Sequence, residues 1–438
     1  MKKYILFLLF LPCSVSGLYG QDTLTFKACL DLAFTNNLAL KEAFLEEELS
    51  AIQYKSSKME LYPNLNGSIS NNNAFGRSID PYSNSFIDTK FKSYSGSIAS
   101  NITLFNGFSK INTIKMTKAE VDIQQTAIDR IKDDITIQVA SLYTTILYTE
   151  ELIKSYKEQN QISKQQKDFL QVRFEEGVIA ESELFKLDAQ IASESVNLIT
   201  IEHVLKMYYL DLQQLVNVPI TTKMHLQALD VLEIKGDFDD LYLLDVEKTY
   251  QENPSFLITK MQEENAKLNI KLSQAAYLPS LNLQLNYGSF YSDSNSNFNF
   301  NEQWNNNKNY GFSLSLSIPV FNGFSVRQNV KRAKTQYKQS LVRTDIEKNR
   351  LIKVLSQANN DLVASQEKLK SAGSALLFAQ KTFEADQLKY EYGKISLTEL
   401  LLTQKDYFNS QAELIKAKYE YVYNKGVIGF YSENSFSF

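Results

Sequence analysis

Glycine and proline are scarce, 15 and 7 in 438 residues, and after Pro12 the prolines fall only at 63, 81, 219, 254, 279 and 319. The runs 82–218 and 320–438 therefore contain no residue that obliges a helix to stop. Two cysteines, Cys13 and Cys29, leave little room for a disulfide framework, and two histidines little for a metal centre. Beyond the N-terminus no stretch approaches the roughly 18–20 apolar residues of a spanning helix. If the mature chain enters a membrane, it does so as strands. Charge is nearly balanced, 46 basic against 50 acidic residues, which argues against a nucleic-acid partner. What is present, 44% hydrophobic and 12% aromatic residues, excludes a disordered chain.

Residues 1–20 read as an export signal: Lys2 and Lys3, the apolar stretch Tyr4 to Leu11, then Ser14, Ser16, Gly17 and Gly20. Pro12 stands where a lipoprotein signal needs a small residue, which disfavours lipidation of Cys13. With the signal removed, Cys29 is the only thiol and no intrachain disulfide can form.

Sliding the chain by 216 positions reveals a tandem repeat. Pro63 and Leu65 meet Pro279 and Leu281, Tyr94 meets Tyr310, and Asn37 meets Asn253. Phe105 to Ser109 meets Phe321 to Ser325, and Gly177, Ile179, Glu183 and Leu184 meet Gly393, Ile395, Glu399 and Leu400. One register serves every anchor, so the mature chain is two copies of one unit, 21–222 and 241–438, joined by a linker over 223–240.

Each copy carries two periodicities. After Phe324, Leu351, Leu355, Ala358, Leu362, Leu369, Ala372, Leu376, Ala379, Phe383 and Tyr390 alternate steps of four and three, interrupted only at Ser365 and Asp386. In the first copy Ile135, Val139, Leu142, Ile146, Ile153, Tyr156, Leu170 and Phe174 keep the frame, with a polar middle at Asn160, Ser163 and Lys167. This is coiled-coil packing, and at ~1.5 Å per residue each rod reaches roughly 100 Å. Gly177 and Gly393 break the rods, and returning helices come after them, so each copy predicts a long helical hairpin.

Before each rod the period is two. Tyr310, Phe312, Leu314, Leu316, Ile318 and Val320 alternate with small or polar residues, as do Leu281, Leu283, Leu285 and Tyr287; Leu65 to Asn71 and Tyr94 to Leu104 echo this in the first copy. A soluble sandwich would alternate too, but apolar-out, polar-in strands of about ten residues are what a membrane barrel with a wet lumen requires. The segments Asn73 to Lys92 and Ser289 to Asn309 read as loops outside the cell. Four strands cannot close a barrel, which needs about eight; three chains would supply twelve.

The order of these features resembles the TolC-like outer-membrane efflux proteins. The resemblance rests on Leu24-Thr25-Phe26 and Asn36-Asn37, Tyr62-Pro63-Asn64-Leu65 and Leu278-Pro279-Ser280-Leu281, Leu104-Phe105-Asn106-Gly107 and Pro319-Val320-Phe321-Asn322-Gly323, and the breaks Phe174-Glu175-Glu176-Gly177 and Tyr390-Glu391-Tyr392-Gly393. It implies an α+β membrane protein of the Gram-negative outer membrane: a homotrimer with a twelve-stranded barrel set in outer-membrane lipid and a coiled-coil tunnel reaching into the periplasm. It also implies a periplasmic entrance docking an adaptor (membrane fusion) protein and an inner-membrane transporter, as in tripartite efflux or type I secretion.

On that resemblance Glu183 and Glu399 match positions where the family often carries aspartates lining a constricted aperture, the alternative being solvated helix residues. Tyr390 matches a tyrosine that latches the closed tip by bonding to the first-copy acid, here Glu183. The family's latch arginine is replaced by Ile395 and its second aspartate by Leu402, so a tip held shut by packing around these two is expected. The turns Val178-Ile179-Ala180 and Lys394-Ile395-Ser396 offer small or apolar surfaces for an adaptor, while Gly177 and Gly393 also serve as left-handed helix caps.

No catalytic inventory accompanies this. His203 and His225 lack further ligands nearby, Cys29 lacks a histidine neighbour, Trp304 reads as a surface or interface aromatic, and no P-loop, dinucleotide fingerprint or serine elbow occurs. The expectation is therefore no enzyme, no cofactor and no metal. A structural coiled-coil protein without conduction would explain the rods but not strand pairs inserted at matching places in both copies. A general porin would need some sixteen strands in one chain.

Overall fold

A computed structural model describes residues 23–79, 84–88, 90–229, 243–294, 297–433, 435, 436 and 438. The expected signal at 1–20 and positions 230–240 of the expected linker lie outside these described residues. In chain order the elements are α1 (Phe26–Asn36), α2 (Leu38–Met59), β1 (Asn64–Ala74), β2 (Arg77–Ile79), β3 (Phe86–Asp88), β4 (Phe91–Asn106), α3 (Ser109–Glu175) and α4 (Glu181–Leu215). The second copy gives α5 (Val246–Glu252), α6 (Pro254–Ala275), β5 (Ser280–Ser292), α7 (Phe300–Asn306), β6 (Asn309–Ser317), α8 (Ser325–Glu391) and α9 (Leu397–Glu433). Two compact units result. One comprises residues 39–132 and 245–356, the other the residues up to 38 with 133–244 and 357–438, so each draws on both sequence repeats.

The repeated asparagines mark repeated helix breaks. Asn37 ends α1, its N–H bonded to the Ala33 carbonyl, and Asn253 ends α5 and caps α6 by accepting from the Ser255 N–H at 3.0 Å. The two rods, α3 and α8, have 67 residues each, about 100 Å at the α-helical rise. Their heptad positions are inside: Leu351, Leu355, Leu362, Leu369 and Phe383 are buried on α8, and Ile135, Val139, Ile146, Ile153 and Leu170 on α3. Ser365, which interrupts the second rod's apolar seam, is buried with its hydroxyl on the Leu362 carbonyl; Asp386 pairs with Lys389 at 2.7 Å. In the same unit the first residues and the linker meet at a two-residue bridge, Leu24 to Leu226, sealed by Tyr143, whose hydroxyl lies 2.7 Å from the Gln227 carbonyl and 3.2 Å from that of Leu24.

The other unit holds the strands. They form one antiparallel sheet in the order β1-β4-β5-β6, with β2 and β3 a separate short hairpin. Register makes the two faces chemically different. Leu281, Leu283, Leu285 and Tyr287 lie opposite Leu316, Leu314, Phe312 and Tyr310, while Asn282, Gln284 and Asn286 lie opposite Ser315, Ser313 and Gly311. On the first-copy strands the polar face is bonded across the ladder, Ser68 to Ser97 and Ser70 to Ser95, each at 2.7 Å. Because directly opposed residues share a face, all four strands agree in which side is apolar. That apolar face is uncovered: Ile69 is 90% exposed, Phe312 77% and Leu314 58%. Neither β1 nor β6 has a further strand beside it among the described residues.

Three details differ from the sequence reading. β6 ends at Ser317 instead of reaching Val320, because Pro319 has no N–H to give a ladder. The segment 73–92, expected as loop, contains the last residues of β1, the hairpin β2–β3 and the first of β4. The segment 289–309 contains the end of β5 and the helix α7, started by a capping box between Asn299 and Glu302. Trp304 on α7 stacks on Phe300 at 5.4 Å, and the buried Gln303 bonds the Ser292 backbone on both sides. Short polar segments rich in Asn and Ser carry no hydrophobic period, so their sequence does not announce these elements.

Candidate functional site

The rods turn at Gly177 and Gly393, and the turns are built alike. Gly177 (φ 74°) sends its N–H to the Phe174 carbonyl and Val178 to that of Arg173; Gly393 (φ 68°) bonds to Tyr390 and Lys394 to Lys389. These are paired Schellman closures, and a left-handed residue at that position is why glycine stands there in both copies. Both glycines are thus helix caps, as their sequence positions predict.

The helices that leave the two turns start differently. Ser396 caps α9 in a reciprocal box: the Glu399 carboxylate accepts from the Ser396 N–H at 2.8 Å and from its hydroxyl at 3.2 Å, and the Glu399 N–H reaches back to that hydroxyl at 3.3 Å. Ala180 starts α4 and has no side chain to cap with, so Glu183 is released from that duty. Its Oε2 instead accepts the Tyr390 hydroxyl at 3.3 Å. The sequence carries this asymmetry as Ser-x-x-Glu in one copy and Ala-x-x-Glu in the other.

Beneath lies a small apolar cluster of Leu170, Leu184, Leu187 and Leu397, all buried, against which Phe174, Ile179, Ile191, Tyr390 and Leu401 pack. Burial here, then the Glu183 carboxylate, push the Tyr390 hydroxyl up to about 12, while Arg173 acts in the opposite direction. Tyr390 is thus a neutral donor throughout the neutral range. Arg173 belongs to this neighbourhood, its guanidinium also 5.8 Å from the Phe169 ring, and nothing in the repeat pattern singles it out. A second tie, Lys186 Nζ to Thr398 Oγ1 at 3.3 Å, joins the starts of α4 and α9.

The structure brings Glu183 and Tyr390 together and leaves Glu399 apart, exposed and engaged with Ser396. Ile395 is half-buried, and Leu402 is 59% exposed. Among the expected docking residues Ile179 turns into the apolar cluster, whereas Val178 is 57% exposed and Lys394 and Ser396 face solvent. Among the described residues no group of histidine, cysteine, aspartate and glutamate is arranged to hold a metal, and Cys29 is a buried thiol pushed up to about 11 by desolvation.

The Tyr390–Glu183 bond can be tested through its pH dependence. The folded state raises the Tyr390 pKa from 10.0, so its contribution to stability is complete below pH 10 and is lost as pH rises through about 12. Tyr390→Phe is expected to cost about 1 kcal/mol at pH 8. The gap in thermal midpoint between wild type and variant should narrow above pH 10 and stay constant between pH 6 and 9.

The sequence pattern of the family described as outer membrane efflux protein matches residues 29–218 and 246–425, one match per repeat. The chain is 22% identical over 352 residues to the outer membrane protein TolC of Escherichia coli (strain K12), spanning 78% of this chain and 71% of that one. Among solved structures, the Campylobacter jejuni CmeC outer membrane channel superposes with a TM-score of 0.79 at 19% identity, covering 93% of this chain and 85% of that one. CusC, described in connection with transmembrane channel formation, gives 0.78 at 18% identity and 95% coverage of both.

Proposed function

Because the chain belongs to the outer membrane efflux protein family, and is an outer-membrane channel and not an enzyme, we propose that it is the passive exit duct of a tripartite efflux or type I secretion assembly. It works as a homotrimer, each copy giving four strands to one twelve-stranded barrel. The observation that carries this reading is the sheet. A four-stranded sheet with an exposed apolar face, a hydrogen-bonded polar face and bare edges on β1 and β6 is unstable alone. Ring closure among copies removes both edges, lipid covers the apolar face, and the Asn- and Ser-rich face lines a wet lumen.

At the helical tip Glu183, Tyr390, Ile395 and Leu402 set the closed width. Tyr390 holds α8 to α4 through Glu183, and the apolar pair packs where charge would otherwise repel. The exposed turn residues Val178, Lys394 and Ser396, set by Gly177 and Gly393, take the hairpin tips of a periplasmic adaptor, which in turn meets the inner-membrane transporter. Ile179 supports that surface from inside.

The experiment is site-specific cross-linking in cells from Val178→Cys and, separately, Ser396→Cys. Each should yield a product with a periplasmic protein predicted to carry a helical hairpin. Ile220→Cys, at a side chain 73% exposed and far along the chain from both turns, should give none. Adducts from Ile220 equal to those from the turns would count against tip docking.

A further inference from the structure

The polar middle of the first rod is the feature the duct does not use. Each of its members has a partner. Lys167 pairs with Asp188 at 2.5 Å, and Asn160 Nδ2 lies 3.4 Å from both the Ile191 carbonyl and Ser195 Oγ. Ser163, fully buried, donates to Glu194 Oε1 at 2.8 Å and accepts from Gln404 Nε2 at 3.2 Å. Glu194 on α4 is 4% exposed and Gln404 on α9 1%. Three helices thus meet in one polar layer inside a coiled coil. At the matching positions of the second repeat stand Leu376, Ala379 and Phe383, so the layer belongs to the first copy alone.

The layer's hydrogen bonds do not balance. Glu194 Oε1 collects three donors: Ser163, Gln190 Nε2 at 2.9 Å and Gln159 Nε2 at 3.2 Å. Its other oxygen, Oε2, is buried with no partner, and so are Gln404 Oε1 and, one turn beyond Ser163 on α3, Gln166 Oε1. All the unmet groups are acceptors. The occupant that satisfies them brings positive charge or donors and needs no acceptor. The lysines paired in this unit, Lys157, Lys167, Lys368 and Lys389, are bonded to Glu202, Asp188, Glu420 and Asp386, none of them to Glu194. A buried carboxylate without a cationic partner is costly, and a burden of that kind is relieved by a bound cation.

We propose that Glu194 Oε2 and Gln404 Oε1, whose side chains Ser163 bridges, bind a small monovalent cation of the alkali-metal class within the helical hairpins, with Gln166 Oε1, the unmet acceptor one turn away on α3, as a third ligand. One carboxylate and neutral amide oxygens are hard ligands suited to such an ion, and their single negative charge matches a single positive one. The ion ties α3, α4 and α9 at a level between the tip cluster and the Tyr143 seal, and it gives the first-repeat hairpin a fixed register where apolar packing is interrupted.

The test uses the purified mature protein in detergent and the thermal midpoint of its helical circular dichroism, with sodium chloride replacing choline chloride at constant total chloride. The midpoint should rise with sodium and saturate. Glu194→Gln, nearly isosteric and uncharged, should remove the sodium-dependent part. Gln404→Leu, which keeps the charge and deletes an amide oxygen, should raise the half-saturating sodium concentration roughly tenfold. A wild-type midpoint indifferent to sodium means that water alone fills the layer and overturns the proposal. A sodium response retained in Glu194→Gln overturns it as well. If Glu194→Gln does not fold, Gln404→Leu decides: an unchanged half-saturation contradicts the site.

Discussion

Leu314→Arg is expected to prevent assembly in the outer membrane, while Ser313→Arg, one residue away, is tolerated. Leu314 lies opposite Leu283 in the middle of the β5–β6 pairing, on the face that also carries Leu285, Phe312 and Leu316. An arginine there would face lipid near the midplane at a cost of about 2–4 kcal/mol per copy, and a closed trimer bears it three times. Stabilities of folded proteins amount to only about 5–15 kcal/mol, so the total is comparable with the whole margin. Ser313 lies opposite Gln284 on the face of Asn282, Asn286 and Ser315, where a cation stays in water. Heat-modifiable trimer in outer-membrane fractions measures the outcome. Normal trimer from Leu314→Arg together with loss from Ser313→Arg would mean that the apolar face lines the inside.

The strands are legible in the sequence because period two and the 216-residue offset reinforce each other, each strand being seen twice. The rods are legible for the same reason: heptad spacing sustained from Ile135 to Phe174 and from Leu351 to Tyr390 leaves few alternatives. Ends are less legible. The alternation of large and small residues runs on through Ile318-Pro319-Val320, but the ladder cannot, since the proline has no N–H to donate. At the tip, the offset makes Glu183 and Glu399 look equivalent, and the difference between Ala180 and Ser396 is what separates them. A repeat fixes backbone position, while the capping partner three residues earlier decides what the glutamate is free to do. The polar layer shows in the sequence only as a fault in the heptads; its partners Glu194 and Gln404 lie 31 and 241 residues from Ser163 and share no local pattern with it.

The second large effect concerns the gate. Ile395→Asp with Leu402→Asp should open the tip and raise single-channel conductance several-fold. In a trimer the pair supplies six added carboxylates around one axis. Two carboxylates ~6 Å apart at an effective dielectric of ~20 repel by about 3 kcal/mol, which exceeds what one part-buried tyrosine–glutamate bond contributes. Glu183→Gln alone should reduce block by multivalent cations, because Glu183 is free of the cap. Glu399→Gln should act mainly on the start of α9 and leave the block nearly unchanged. Equal loss of block in both single variants would show that Glu399 leaves Ser396 and turns to the axis.

The most direct test of the central claim, that this chain is a conducting outer-membrane duct closed at its helical tip, is planar-bilayer recording of the purified protein beside Ile395→Asp/Leu402→Asp. The expected result is discrete, uniform steps of small conductance from the wild type and larger ones from the double variant. Heat-stable trimers of both proteins that insert yet pass no current would contradict it.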